Sequence, residues 1–273
     1  MPHKKKLTLA VIFFLAGVLL YSWQIEPNLL SIKRIEFNAP LLKNNCTVLF
    51  IADLHLPLKQ GLEKKLFFFI KNQKPDMILL GGDIAGYRTQ PAYVAEELKR
   101  IASYGTTVMV RGNTDQCGDR QCIYCFLKYP NNELKHFPAT ILRNETMLFP
   151  TYNIKLFGLD DPITNHNDTL IFKERSDSNV NILLVHSIHK LSEIQKSRFD
   201  LILSGHTHGG QIFLLKPFVH LFDNMVDTRY LNGVFPIKKG LMIVTRGLGE
   251  SFLPLRLGVF PEAIIIKLKK GNP

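Results

Sequence analysis

Acidic residues are scarce in this 273-residue chain: 23 Asp and Glu stand against 34 Lys and Arg, a formal charge of +11. That deficit favours an anionic partner, whether a phospholipid surface, a phosphorylated substrate or nucleic acid. The basic residues are dispersed and no nucleic-acid module is visible, which argues against nucleic acid. No segment repeats and no low-complexity tract occurs, so neither a solenoid nor a biased linker organises the chain. Cysteine is sparse as well. Cys46 stands alone at the head of an apolar run, and Cys117, Cys122 and Cys125 cluster in CGDRQCIYC. That spacing fits no common zinc knuckle, even with His136 nearby. In an exported domain a disulfide inside the cluster is expected. In a cytoplasmic one the thiols are small hydrophobes, and Ile123, Tyr124, Phe126 and Leu127 form an apolar flap.

Charge is missing altogether from LTLAVIFFLAGVLLYSWQI, residues 7–25, which follows Lys4, Lys5 and Lys6. As a helix this stretch spans about 28 Å, enough for a bilayer core, with Tyr21 and Trp23 where an interfacial aromatic belt belongs. It reads as a retained anchor or a signal peptide. No small-x-small cleavage site follows it, which favours the anchor. The expected location is a bacterial inner membrane with a single-pass N-terminal anchor. Lysines precede the segment, but Lys33, Arg34 and Lys43 follow it, so the charge bias leaves the side of the catalytic domain open.

An apolar content of 46% fits one large core plus this segment. The chain divides into a basic N-terminus (1–6), the anchor (7–25), a linker and edge strand IKRIEFNA (26–45), and a domain over 46–270. From Thr47 strand and helix alternate: strands at 48–52, 77–82 and 106–112, helices at 63–73 and 91–103. Nearly continuous apolar strands separated by helices imply parallel βαβ units, which place function at the carboxyl ends of the strands. After Phe149 antiparallel strands are expected: NIKLFGLD, NILLVH, LILSGH, IFLL, GLMIVTRG and EAIIIKLK.

Five apolar runs end in Asp, Asn or His: Asp53 and His55 in FIADLH, Asp83 in ILLGGD, Asn113 in VMVRGNTD, His186 in NILLVH, and His206 and His208 in SGHTHGGQ. Carboxylates, imidazoles and an amide oxygen gathered at strand ends are ligand chemistry for Mn²⁺, Fe, Zn²⁺ or Mg²⁺. The order DxH, GGD, GNxD, H, GHTH resembles the calcineurin-like metallophosphoesterase superfamily over about Thr47 to Leu268. The tail TRGLGESFLPLRLGVFPEAIIIKL is similar to that superfamily's membrane-linked bacterial branch.

The resemblance implies a four-layer α/β/β/α sandwich with two divalent metal ions, Mn before Fe, Zn or Mg. It implies that Asp53, His55 and His208 hold one ion, Asp83 bridges, and Asn113, His186 and His206 hold the other. Asp83, Asn113 and His206 are then also the catalytic set. A bridged metal pair lowers the pKa of a shared water and directs it at phosphorus, with no covalent enzyme intermediate. Asp115 is expected to orient a ligand histidine. Arg246 and Arg256 are either phosphate or sugar contacts, or ion-paired structural residues.

One position departs from the family pattern. Most members carry GNHE or GNHD, whereas GNTD places Thr114 where a histidine would protonate the leaving group. A threonine hydroxyl is no general acid near neutrality, so leaving groups that need no proton are favoured. A phosphoanhydride meets that condition, as in the superfamily's enzymes that cleave UDP-2,3-diacylglucosamine. The insertion 212–239 is dense in Phe, Leu and Val and carries Lys216, Arg229, Lys238 and Lys239. It is a lipid-facing lid or an ordinary hairpin, and His220 within it is packed or solvated. The expected function is a membrane-anchored two-metal phosphohydrolase acting on a phosphorylated lipid or nucleotide-sugar beside a bilayer. The alternatives are an exported phosphodiesterase or phosphatase acting on envelope polymers or nucleotides, and a catalytically silent metal-binding interaction module.

Overall fold

A computed structural model describes residues 2–86, 89–115, 139–161, 168–188, 198–219 and 227–271. The Cys117, Cys122 and Cys125 cluster, the Ile123–Leu127 flap, His136 and His220 lie outside these residues; Cys46 is a buried free thiol. Helix α1 (Pro2–Leu20) leaves its large apolar side chains exposed along its length. The helical segment Lys4–Asn28 is long and apolar enough to cross a membrane, a property that signal sequences share. Its last turns, Tyr21–Ile25 and Glu26–Asn28, bury Ser22, Glu26 and Pro27 against the domain before the chain enters β1 (Ser31–Ala39).

The first sheet has the order β1, β12 (Glu262–Lys270), β2 (Cys46–Ile51), β3 (Met77–Leu80), β4 (Thr106–Met109), β5 (Thr140–Ile141). Strands β2 to β5 are parallel, with α2 (Gln60–Gln73) joining β2 to β3 and α3 (Pro91–Ala102) joining β3 to β4. Both helices follow from apolar spacing: α2 buries Leu62, Leu66 and Ile70, and α3 buries Val94, Leu98 and Ile101 with Pro91 in its first turn. Their buried faces pack on Leu49, Ile51, Ile78, Leu80 and Met109.

The second sheet has the order β10 (Gly233–Pro236), β11 (Leu241–Val244), β9 (Leu201–Ser204), β8 (Val180–Val185), β7 (Ile154–Leu159), β6 (Glu145–Phe149). The alternate faces of the two sheets meet in the central core, where Val48, Phe50, Leu79 and Val108 pack against Leu156, Ile182, Leu184 and Leu203. On its other face the second sheet packs Phe157, Leu183 and Ile202 against Ile171, Ile188 and Phe199. The layers are thus helices, sheet, sheet and an outer covering, the sandwich that the resemblance implied.

Two expectations are corrected. In the second sheet β7, β8, β9 and β11 are parallel and the outer pairs β6–β7 and β10–β11 are antiparallel, while EAIIIKLK is antiparallel as expected, as β12 against β2 in the first sheet. Connection length explains this: the four-residue links at 150–153 and 237–240 can only make hairpins, while 160–179, 186–200 and 205–240 are long enough for crossovers. IFLL is no strand. Only Ile212 bridges, to Leu257, and Phe213–Phe218 is a 3-10 turn that contains Pro217, which has no N–H for a ladder.

Parallel strands deliver their carboxyl ends to one edge of the molecule, and there the two sheets are fastened by charge. Arg111, just past β4, pairs with Asp160, just past β7; both are buried, and Arg143 Nε also reaches Asp160 at 3.3 Å. Replacing Arg111 by Leu removes the closer of two guanidinium partners from a buried carboxylate, leaving Arg143 at 3.3 Å, and should lower stability by about 3 kcal/mol. Urea denaturation should show that loss, and Arg111→Leu with Asp160→Leu should recover part of it.

Candidate metal centre

Five of the seven proposed ligand residues have left-handed backbone: Asp53 (φ 52°), His55 (42°), Asp83 (50°), His206 (72°) and His208 (49°). Non-glycine residues rarely adopt this conformation, which costs on the order of 1–3 kcal/mol each and clusters at functional sites. It turns each side chain back across the sheet edge directly after its strand. Neighbouring glycines allow the resulting crowding. A Cβ at Gly112 would lie 2.1 Å from Asp83 Oδ1, and one at Gly205 would lie 2.7 Å from Asp53 Oδ2.

The side chains gather into two clusters, Asp53 with His55 and His208, and Asp53 with Asp83 and His186. In the first, the Nε2 atoms of His55 and His208 face each other at 3.1 Å, their rings stacked at 5.0 Å. In the second, His186 Nε2 lies 3.0 Å from Asn113 Oδ1 and 3.5 Å from Asp83 Oδ1. Asp83 divides its oxygens between the two, with Oδ2 at 3.5 Å from His55 Nε2. The His186 ring is aimed by its other nitrogen, 2.9 Å from the Gly81 carbonyl. His206 stands edge-on to His186, ring centroids 5.0 Å apart, and lies outside both tight clusters; its N–H donates to the two Asp53 oxygens at 2.9 and 3.0 Å.

Electrostatics mark the group as a cation receptor. Burial, and next the charge of Asp83, push the Asp53 carboxyl well above the usual carboxylate range. Burial lifts Asp83 to about 6. On the imidazoles the same burial acts in the opposite direction: it holds His55 down at about 3, with the His186 charge adding to it, and lowers His186 and His208. Enclosed carboxylates that repel one another, beside imidazoles that stay neutral with lone pairs free, are the electrostatic complement of a divalent cation.

The supporting residues hold the loops as well as the ligands. Asp115 is fully buried and works on the backbone: Oδ1 accepts the N–H groups of Ile84 and Ala85 at 3.0 and 3.2 Å, and Oδ2 accepts that of Gly112 at 2.9 Å. It locks the Asp83 loop to the Asn113 loop, besides facing His186 electrostatically. Thr114 donates its N–H to Asp83 Oδ1 at 2.9 Å and its hydroxyl to the Ala85 carbonyl at 3.1 Å. Arg246 is engaged by Glu262, Nη2 to Oε1 at 2.8 Å, and by Ser31.

Of the two roles left open for Arg256, its surroundings fit that of a structural residue. It is fully enclosed, donates to the carbonyls of Val259, Arg246 and Gly249, and rests 3.5 Å from His208 Nδ1. Gln211, the last residue of the GHTHGGQ motif, received no role from the sequence. Its amide accepts the Ser251 N–H and donates to the Leu253 and Leu255 carbonyls, tying the tail loop to the histidine turn. Its place at the end of a glycine-rich motif is the only signal the sequence held.

Asp115→Ala leaves three buried N–H groups without an acceptor, each worth about 1–3 kcal/mol. The variant should unfold at clearly lower urea concentration, by several kcal/mol in all, whereas Asp115→Asn should retain part of the stability.

The calcineurin-like phosphoesterase family matches residues 46–210. YpbG of Bacillus subtilis is 32% identical over 229 residues, 81% of this chain and 80% of its own. The metallophosphoesterase YkuE of the same organism is 29% identical over 266 residues, 92% of this chain and 90% of its own. The phosphodiesterase YaeI of Escherichia coli is 29% identical over 231 residues, 81% of each chain. Among solved structures, TT1561 of Thermus thermophilus is similar with a TM-score of 0.47 at 12% identity, covering 74% of this chain and 90% of its own. A family match over most of the domain, together with clusters of carboxylate and imidazole ligands at the strand ends, places this chain in the calcineurin-like phosphoesterase family as a metal-dependent phosphoesterase.

Proposed function

We propose that the protein is a membrane-anchored, two-metal phosphohydrolase that cleaves a phosphoanhydride or phosphodiester of a lipid-linked substrate, with UDP-2,3-diacylglucosamine as the leading candidate. The observation that carries the membrane part is a single residue. The Arg256 N–H donates to the Ser22 carbonyl at 2.8 Å, at the end of the apolar helical segment, while its guanidinium rests against His208. The segment therefore ends at the face where the ligand side chains converge. A substrate held in a bilayer that this helix crosses would meet that face first.

Asp53, His55 and His208 would hold one ion, and Asn113, His186 and His206 the other, with Asp83 presenting one oxygen to each side. Ions held by these residues would supply water activation and neutralisation of charge on the phosphoryl oxygens. The chain's own residues supply orientation. The Gly81 carbonyl fixes His186, the His206 N–H fixes Asp53, and Asp115 fixes the loops that carry Asp83 and Asn113. Thr114 gives no proton: its hydroxyl is committed to the Ala85 carbonyl, and an ordinary threonine does not titrate near neutrality. A leaving group that departs as a stable anion suits such a site, and a phosphate of a pyrophosphate is one.

The test is Mn²⁺-dependent hydrolysis by detergent-solubilised full-length protein. UDP-2,3-diacylglucosamine, bis-p-nitrophenyl phosphate and p-nitrophenyl phosphate are compared side by side, with His208→Ala as the blank. Release of UMP from the lipid, little monoesterase activity and none in the blank support the proposal. A second reading is favoured by the likeness to the phosphodiesterase YaeI: an exported phosphodiesterase, for which diester cleavage without lipid cleavage is the outcome. Absence of any hydrolysis by a metal-loaded protein would leave a metal-binding interaction module. Thr114→His should raise monoesterase relative to anhydride cleavage by about tenfold or more, since general acid catalysis contributes roughly 10²–10⁴-fold. An unchanged ratio would contradict the role given to this position.

A further inference from the structure

Beside the end of the N-terminal helical segment lies an apolar surface that no part of the described chain covers. Phe252 is fully exposed, at 104% of its reference area, and it sits at φ 65°, left-handed backbone that is unusual for a bulky side chain. Leu253 is exposed next to it, and Phe213, Leu214 and Phe218 are exposed on the neighbouring 3-10 turn. The two segments adjoin: the Phe213 N–H donates to the Leu257 carbonyl at 2.7 Å, and Ile212 bridges Leu257. Hydrophobic side chains of this size in one patch mark an interaction surface.

The loop is held in place from below. Gln211 grips the backbone of Ser251, Leu253 and Leu255, and Lys59 Nζ donates both to the Pro254 carbonyl at 3.3 Å and to the Trp23 carbonyl. The same lysine thus joins the Phe252 loop to the end of the apolar helix. Glu26, buried one turn later, accepts the Val259 N–H at 2.6 Å and closes the other side. The loop is thereby held next to the stretch that carries Trp23 and Ile25, themselves half exposed on the helical segment. A cation accompanies it: the Lys216 ammonium lies 5.5 Å from the Phe213 ring centre, and the net charge of the chain is +11. Exposed aromatic and aliphatic side chains with a lysine beside them are the pattern of an interfacial membrane surface.

We propose that the Phe252 loop and the Phe213–Phe218 turn form a second, shallow membrane-inserting surface, which seats the metal-site face on an anionic phospholipid interface beside the helix. The inference rests on the membrane reading of the N-terminal segment and extends it, because a single helix would leave the domain free to tilt. Seated at two points, the ligand clusters would face the headgroups.

The chain has one tryptophan, Trp23, so depth can be read residue by residue. In a Trp23→Phe background, Phe252→Trp and, separately, Leu214→Trp are reconstituted as full-length protein in phosphatidylglycerol and phosphatidylethanolamine vesicles, with and without lipid brominated near the headgroup. Phe68→Trp is the control: Phe68 is exposed on α2 and lies about 12 Å along that helix from Gln60. The expected result is a blue-shifted, strongly quenched emission from position 252 or 214, and none of either from position 68. Quenching of wild-type Trp23 with positions 252 and 214 unquenched overturns this surface and leaves the anchor standing. No quenching of Trp23 overturns both, independently of any hydrolysis result. A blue shift that grows with protein concentration and ignores brominated lipid means that a second copy covers the patch, which also overturns the inference.

Discussion

The enclosure of Asp53 and Asp83 among neutral imidazoles is the constraint on which the rest of the structure depends. Two carboxylates buried this close repel each other, and the protein holds them together by several independent means. Left-handed backbone at five ligand positions turns the side chains inward. The His206 N–H clamps Asp53, the Thr114 N–H clamps Asp83, and Asp115 clamps the loops beneath. The Arg111 and Asp160 pair closes the edge where the two sheets meet. Strain and repulsion of this kind are retained where a bound cation repays them, because a ligand that binds only the folded state stabilises it by mass action.

The second structural theme is coupling between that site and the N-terminal segment. Arg256 donates its backbone N–H to the Ser22 carbonyl and meets His208 with its side chain; Glu26 and Lys59 fix the chain on either side. The segment is thus built into the face that carries the chemistry. On the proposed function, these few contacts keep the site's face beside the bilayer before any substrate arrives.

Much of this is legible in the sequence, for identifiable reasons. Apolar runs that end in Asp, Asn or His are short-range signals, and parallel strands bring such ends to one edge whatever the connections do. Asp53, His55, Asp83, Asn113, His186 and His208 are brought together in this way, with His206 beside them. The direction of the strands in the second sheet is not legible from apolar pattern, since a buried strand reads alike in both senses; connection length carries the information. Arg256 stays open in the sequence because a guanidinium in a tail motif looks the same whether it meets phosphate or three backbone carbonyls. The loop-clamping part of Asp115 is not legible, because its three N–H donors belong to backbone, which a side-chain pattern does not reveal. Burial of Ser22, inside the stretch that reads as membrane-spanning, and of Glu26, at the head of the linker, is a tertiary fact the sequence does not show.

The most direct measurement is the metal content of the full-length protein after saturation with Mn²⁺ and removal of free ion, alongside Asp83→Asn and His208→Ala. Two ions per chain, with occupancy lost at one or both positions in each variant, is the predicted result. A single ion, or two that persist unchanged in both variants, would contradict a binuclear centre built on these residues.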